Sequence, residues 1–356
     1  SDRFLIIDTP SVLAYMCLRQ GQWWWSELNE RSPMRMARIK ISGRGAVYHC
    51  MSRVVGGQRL LGPLEKEKLR EMLWQQAAFS GVEIITYCLM SNHIHLLVRI
   101  GAENRASDAQ LVDRALKFYG KKSLYVQTLR KALEEQGALP EDLREGLRER
   151  MGDVSAFMKE LKQRFSKWYN RQQNRYGTLW AERFKSVLVE DQPSAVQAVA
   201  AYVDLNGVRG GLVKDPKEYR WCGYAEAVGG NGLARKGLGS IYGCGDWERV
   251  GREYRQVLLV SSGGAGSAGK VVLEAEGIRR ELKRKRQLKL GQVLRLRVRY
   301  FSDGVVLGSR NYVNEVFREY RDRFGARRRD GARPMRGLGA LGELATMRDL
   351  KVNVVG

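Results

Sequence analysis

The chain has 356 residues, a formal charge of +23 and a pI near 10.0, a balance that argues against a small-molecule enzyme and for a polyanionic partner. No run of roughly 18 apolar residues is present to span a bilayer, and no basic amphipathic segment stands out as an anchor, so no membrane role is expected. Cys17, Cys50, Cys88, Cys222 and Cys244 are odd in number and never closely paired, which disfavours a disulfide framework and a structural zinc site and suits a cytoplasmic protein.

Residues 1–36, with Trp23-Trp24-Trp25, lack the charge, apolar run and cleavage site of a secretory signal and read as an N-terminal extension of no assigned function. Ala46 to Ser52 predicts a first strand after the turn glycines Gly43 and Gly45. Pro63 opens a helix to Phe79, with Leu64, Leu69, Met72 and Leu73 near helical spacing, and Gly81 ends it. Val82 to Leu89 predicts a second strand, which Met90-Ser91-Asn92 turns into a third, His93-Ile94-His95-Leu96-Leu97-Val98. Strand, helix, hairpin is the order of a ferredoxin-like (RRM-like) α+β layer, an antiparallel sheet with helices on one face.

Residues 103–152 are highly charged and helical in composition and predict a helical insertion. A helix follows over 154–169, then a basic-aromatic stretch to Gly177, then a strand over 184–189. Asp191 is a good N-cap and Pro193 suits a first helical turn, so a helix is expected to about Leu205. Gly-rich stretches at 229–245 and 261–269 predict a linker region over 229–277. Beyond it, residues 278–336 hold 19 Lys and Arg against 6 Asp and Glu, a surplus of 13. Ser309 can cap a helix whose Val313, Val316, Phe317, Tyr320 and Phe324 share a face, so 278–351 reads as a smaller basic helical module that grips nucleic acid through Arg310, Arg318 and Arg321.

Chemistry concentrates at the histidine strand. Side chains alternate faces with period two, so His93 and His95 project together while Ile94, Leu96 and Val98 enter a core. Two imidazoles on one rigid strand make a ready pair of metal ligands in a chain with three histidines; the blander reading is two half-exposed surface groups. The helix after Pro193 supplies further groups. Tyr202 and Asn206 are four apart and share a face, opposite Val196, Val199 and Val203. Against this stand a core-boundary tyrosine and a helix C-cap before Gly207. Tyr202 is the candidate reactive group and Asn206 the candidate third ligand, Tyr176 is the alternative nucleophile, and His49 reads as structural or as a contact behind the ligands. Trp168, Tyr169, Arg171 and Arg175 suit stacking on unpaired bases and phosphate contact.

Three stretches in this order carry a resemblance: Leu89-Met90-Ser91-Asn92-His93-Ile94-His95-Leu96-Leu97-Val98, Thr178-Leu179-Trp180-Ala181-Glu182-Arg183-Phe184-Lys185-Ser186, and Tyr202-Val203-Asp204-Leu205-Asn206-Gly207-Val208-Arg209-Gly210-Gly211-Leu212-Val213. Together with the strand Val47 to Arg53 they resemble the single-tyrosine HUH transposases, in particular the REP-associated, insertion-sequence-200-like branch, over residues 37–228. The resemblance implies a nuclease domain that cleaves and rejoins single-stranded DNA near hairpins. It implies His93, His95 and Asn206 as ligands of Mg²⁺ or Mn²⁺ and Tyr202 as the nucleophile, with Arg183 and Lys185 as further DNA contacts. It allows a homodimer and places the protein with the nucleoid. Gly207 stands where the family usually has Pro. The competing reading is a non-catalytic or domesticated nucleic-acid-binding regulator on the same fold.

Overall fold

The computed structural model describes residues 4–9, 12–19, 22–27, 38–41, 43–102, 106–262, 301–302, 304–325, 328–334 and 344–348, which fall into two units divided near Ala37. In the first, β1 (Phe4–Thr9), β2 (Val12–Arg19) and β3 (Gln22–Glu27) form a three-stranded antiparallel meander in which Phe4 pairs with Cys17 and Cys17 with Trp24.

The second unit opens with β4 (Ala46–Arg53), α1 (Pro63–Ser80), β5 (Glu83–Leu89) and β6 (His93–Ile100). Pro63 starts α1 at the position where a missing N–H costs nothing, and Gly81 ends it at φ 68, a left-handed conformation that glycine adopts freely. Three insertion helices follow, α2 (Asp108–Tyr119), α3 (Leu124–Gln136) and α4 (Glu141–Arg148), with a small core of Leu111, Ala115, Val126, Leu129 and Leu147 that also takes in Phe79 of α1. Then come α5 (Val154–Gln172), β7 (Lys185–Val189) and α6 (Pro193–Asp204). The strands lie in the order β5-β6-β4-β7, with antiparallel pairing throughout. A βαββαβ chain with that order is the ferredoxin-like layer expected from the sequence.

Both faces of the sheet are covered. Arg38 ties Ser186, on the face away from the histidines, to Ser155 of α5, so α5 and its neighbour α1 lie on that side. On the histidine face, Val47, Leu97, Val187 and Val189 pack against Val196, Val199 and Val203 of α6. That layer continues through α7 (Asn206–Arg209), α8 (Gly223–Val228), α9 (Gly232–Tyr242) and α10 (Trp247–Ser262). Buried Leu238, Tyr254 and Leu258 join the same core, each side chain worth about 1.5–3 kcal/mol of transfer free energy. The histidine face therefore carries helices in addition to those expected on one side.

Two expectations change here. The segment read as the start of a linker forms α9 and α10. Two of its glycines serve close packing: a Cβ at Gly237 would stand 2.1 Å from the Ile84 carbonyl, and one at Gly239 2.5 Å from that of Cys244. The basic module is also not helical throughout. β8 (Gly304–Ser309) pairs in parallel with β7, and β10 (Leu344–Arg348) and β9 (Arg333–Pro334) extend the sheet to seven strands. Within it α11 (Arg310–Glu319) is capped by the Ser309 hydroxyl as expected, and Val313, Val316 and Phe317 are buried. The basic stretch 263–300, which holds much of the expected linker and module, lies outside the described residues. Asp191 does not cap α6. Its carboxylate accepts two hydrogen bonds from Arg99, each 2.9 Å, and Gln192 takes the cap position without a side-chain bond.

Candidate active site

The histidine strand delivers its pair as period two requires. His93 and His95 project from one face with ring centroids 5.0 Å apart and planes at 87°. His95 is buried and His93 half-buried. The strand register sets His95 opposite Met51 and Leu97 opposite His49, so His49 on β4 is the diagonal neighbour of His95. Its Nε2 lies 2.9 Å from His95 Nδ1, and its Nδ1 lies 2.9 Å from the carbonyl of Phe301.

These contacts determine where the protons sit. A carbonyl only accepts, so His49 carries its proton on Nδ1 and presents a lone pair at Nε2. That lone pair accepts from His95 Nδ1–H, which leaves the His95 Nε2 lone pair free of this chain of bonds. His93 Nδ1 donates over 2.7 Å to the Asn92 Oδ1, whose amide nitrogen donates in turn to the Gly57 carbonyl. His93 thus also presents Nε2 as a lone pair. Each imidazole is oriented through its other nitrogen, the arrangement by which second-layer partners prepare histidines to bind a metal.

Electrostatics keep all three rings neutral. Burial lowers His49 to about 4, opposed by the Phe301 bond and aided by the nearby Arg209 charge. His93 falls to about 4 through burial and the charges of Arg53 and Arg209. His95 lies well below its ordinary value because of burial, then its two histidine neighbours. Neutral imidazole is the form that ligates a cation, so the pair fits a divalent ion. Among the described residues no group of three or more His, Cys, Asp or Glu side chains is placed to hold a metal.

α6 brings Tyr202 against one member of this pair, His95, and against His49 behind it. Its ring meets His95 and His49 edge-on, each with centroids 5.6 Å apart, and stacks on Phe301 at 4.8 Å. Tyr202 is 2% exposed, with Phe301, His49, His95 and Arg209 around its ring. Asn206, one turn on, donates its amide N–H groups to the carbonyls of Tyr202 and Val203, each at 3.0 Å, and its Oδ1 accepts from Arg209 Nη2 at 2.7 Å. It therefore closes the end of α6 and holds Arg209, and the amide oxygen keeps one further lone pair. Gly207 belongs there because a Cβ would come within 2.8 Å of the Tyr219 ring, whose hydroxyl donates to the Leu89 carbonyl.

Two residues escaped the sequence reading. Arg209 places its guanidinium carbon 3.9 Å from the centre of the Tyr202 ring. Its spacing of three from Asn206 was the available signal. Phe301 left no signal, because it lies 252 residues from the histidine it holds.

The expected DNA-contact residues divide. Tyr169 is 5% exposed and packs with half-buried Trp168 against Phe165, so these rings belong to the α5 core and do not offer stacking faces as expected. The ring that faces solvent in this stretch is Tyr176, at 92% exposure. It sits in a turn locked by Asn170 to the Gly177 carbonyl and by Arg175 to that of Thr178, which makes Arg175 a builder of the loop. Arg171 and Arg183 are exposed; Lys185 is exposed and pairs with Glu182 at 3.4 Å. Arg310 and Arg318 are exposed on α11, whereas Arg321 donates to the Phe324 carbonyl and lies against Phe317. No helix among the described residues is long and apolar enough to cross a membrane.

Residues 44–123 match the family described as "Transposase IS200 like". The match takes in β4 and the histidine strand and ends before Tyr202. No curated protein matches the chain. Among solved structures the chain is similar to one described as "Structure of the REP associates tyrosine transposase bound to a REP hairpin", at 15% identity and a TM-score of 0.34, over 55% of this chain and 84% of that one.

Proposed function

From a segment, residues 44–123, that carries the signature of the IS200-like transposases, we propose that this protein cleaves and rejoins single-stranded DNA beside hairpins, with Tyr202 as nucleophile. The observation that carries the reading is the packing of one tyrosine ring edge-on against His95, a neutral, tautomer-defined histidine whose strand partner His93 projects beside it, and against His49 behind it. His93 and His95, with the remaining lone pair of Asn206 Oδ1, are the groups that would hold Mg²⁺ or Mn²⁺. Such an ion, when bound, neutralises charge on a phosphoryl oxygen.

Tyr202 Oη forms a bond to phosphorus, the phosphorus–O3′ bond breaks, and the phenolic proton ends on the departing 3′ oxygen by way of solvent. The products are a free 3′-hydroxyl and a 5′-phosphotyrosine. Attack of another 3′-hydroxyl on that phosphorus returns the phenol and joins the strands, and because one phosphodiester replaces another no ATP is required. Tyr202 is covered by Phe301, Arg209, His49 and His95, so its hydroxyl must be uncovered before attack. The surplus of positive charge supplies the phosphate attraction, and Tyr176 with Arg171 and Arg183 forms the exposed surface for unpaired bases and backbone.

The test is a denaturing gel with hairpin-bearing single-stranded DNA and Mn²⁺. Wild type gives a covalent protein–DNA band, and Tyr202→Phe gives none while binding the hairpin as before. Adduct that persists in Tyr202→Phe and disappears in Tyr176→Phe would move the nucleophile. No adduct from the wild type under any divalent ion favours the non-catalytic regulator.

A further inference from the structure

Arg209 differs from the other enclosed arginines. Arg70, Arg99, Arg150 and Arg255 each meet a carboxylate: Glu226, Asp191, Glu160 and Asp215. Arg38 spends its donors on Ser186, Ser155 and the Phe184 carbonyl. Arg209 forms no ion pair among the described residues. It gives Nη2 to Asn206 Oδ1 and hydrogen-bonds the Tyr202 side chain, while Nη1 is enclosed without a partner. Arg175 also has a partnerless Nη1, but that side chain closes its own loop through the Thr178 carbonyl.

A half-buried guanidinium with one enclosed, idle donor and no counter-charge is costly to keep. It becomes favourable when a ligand brings an anion, and a planar fork of N–H donors matches the oxygens of a phosphate. Its location defines which phosphate. Arg209 touches the tyrosine that the proposed reaction phosphorylates, and its charge reaches all three histidines. We infer that Arg209 is the phosphate-binding residue of this site: Nη1 receives a non-bridging oxygen of the scissile phosphate, and the guanidinium stays with that phosphate after transfer to Tyr202. The assignment rests on the strand-transfer reading for the identity of the phosphate, though not for its binding.

The two can be separated by working in excess chelator, where no cleavage occurs. Melting of the full chain is followed as inorganic phosphate replaces chloride at constant ionic strength. The wild type is expected to melt higher as phosphate rises, Arg209→Lys to respond more weakly, and Arg209→Met not to respond. Equal responses in wild type and Arg209→Met, or no response in the wild type, overturn the assignment. Should Arg209→Met fail to fold, the wild type still decides it: phenylglyoxal modification of Arg209, read by peptide mass spectrometry, slows in phosphate, and an unchanged rate overturns the assignment. A wild type that forms the DNA adduct yet ignores phosphate by both measures keeps the strand-transfer reading and removes Arg209 from it. A phosphate response without any adduct keeps the anion site and removes the reaction.

Discussion

Two buried polar clusters flank the C-terminal end of α6, and they are built on opposite terms. Asp204 has no exposed surface, yet every direction around it is met: Thr86 Oγ1 donates at 2.8 Å, Tyr254 Oη at 2.5 Å and the Tyr224 N–H at 3.1 Å. Around Tyr202, by contrast, the His93 and His95 Nε2 lone pairs are left over by the tautomer chain, and Arg209 Nη1 has no partner. Buried polar groups that are fully satisfied hold a fold together; those left incomplete are candidates to bind water or a ligand. The contrast is what the proposed function draws on for the Tyr202 side, while the Asp204 side is the bolt that holds α6, α8 and α10 to β5.

The largest effect expected from breaking this contrast is on cleavage. His93→Ala and His95→Ala each abolish DNA adduct formation at millimolar Mg²⁺, because a site with two imidazoles cannot spare one. His49→Phe acts through orientation alone and reduces adduct formation by about 10–100-fold. Adduct gels across Mg²⁺ and Mn²⁺ check both, and undiminished adduct in any histidine variant would deny that residue its place. On the Asp204 side the loss is of stability. Asp204→Ala leaves three donors unanswered and lowers unfolding free energy by about 3–5 kcal/mol in denaturant titration. A loss under 1 kcal/mol would show that the network is not the bolt described here.

Acid separates the clusters by sign. His49 is held at about 4, below its ordinary value, so its neutral form contributes stability that is complete above pH 6.5 and drains as pH falls towards 4. His95, also lowered, adds to the same loss. Burial raises Asp204 to about 6, partly offset by its hydrogen bonds, so it moves the other way and gains stability as pH falls through 6. Each group contributes about 1.4 kcal/mol per pH unit within its window. The wild type is expected to melt lower at pH 5 than at pH 7, and Asp204→Asn to lose more over that interval than the wild type does. Calorimetry that finds the Asp204→Asn loss smaller would reverse the assigned sign. The smallest effect belongs to the surface: Arg310→Gln with Arg318→Gln flattens the salt dependence of hairpin binding by about two phosphate contacts without altering melting. An unchanged slope would leave α11 outside the DNA surface.

Local spacing carried most of the layer. Period two across His93 to Val98, Pro63 and Gly81 around α1, and the four-residue step from Tyr202 to Asn206 all survive in the structure, because each depends on backbone geometry within a few residues. Period alone did not say which face of α5 was buried, so Trp168 and Tyr169 looked like stacking rings until Phe165 claimed them. The glycines of 229–245 read as a linker in the sequence, because one such as Gly237, chosen for close helix–strand contact, is written the same way as one chosen for freedom. What tertiary structure alone decided is the state of the site. His49 reaches His95 only through the β4–β6 register, and its tautomer depends on a carbonyl at Phe301. The idle donor of Arg209 is visible only once its surroundings are filled. Local periodicity selects strands, helices and the faces they offer; the long-range register determines which lone pairs and which charge are left unsatisfied, and the proposed function rests on those groups.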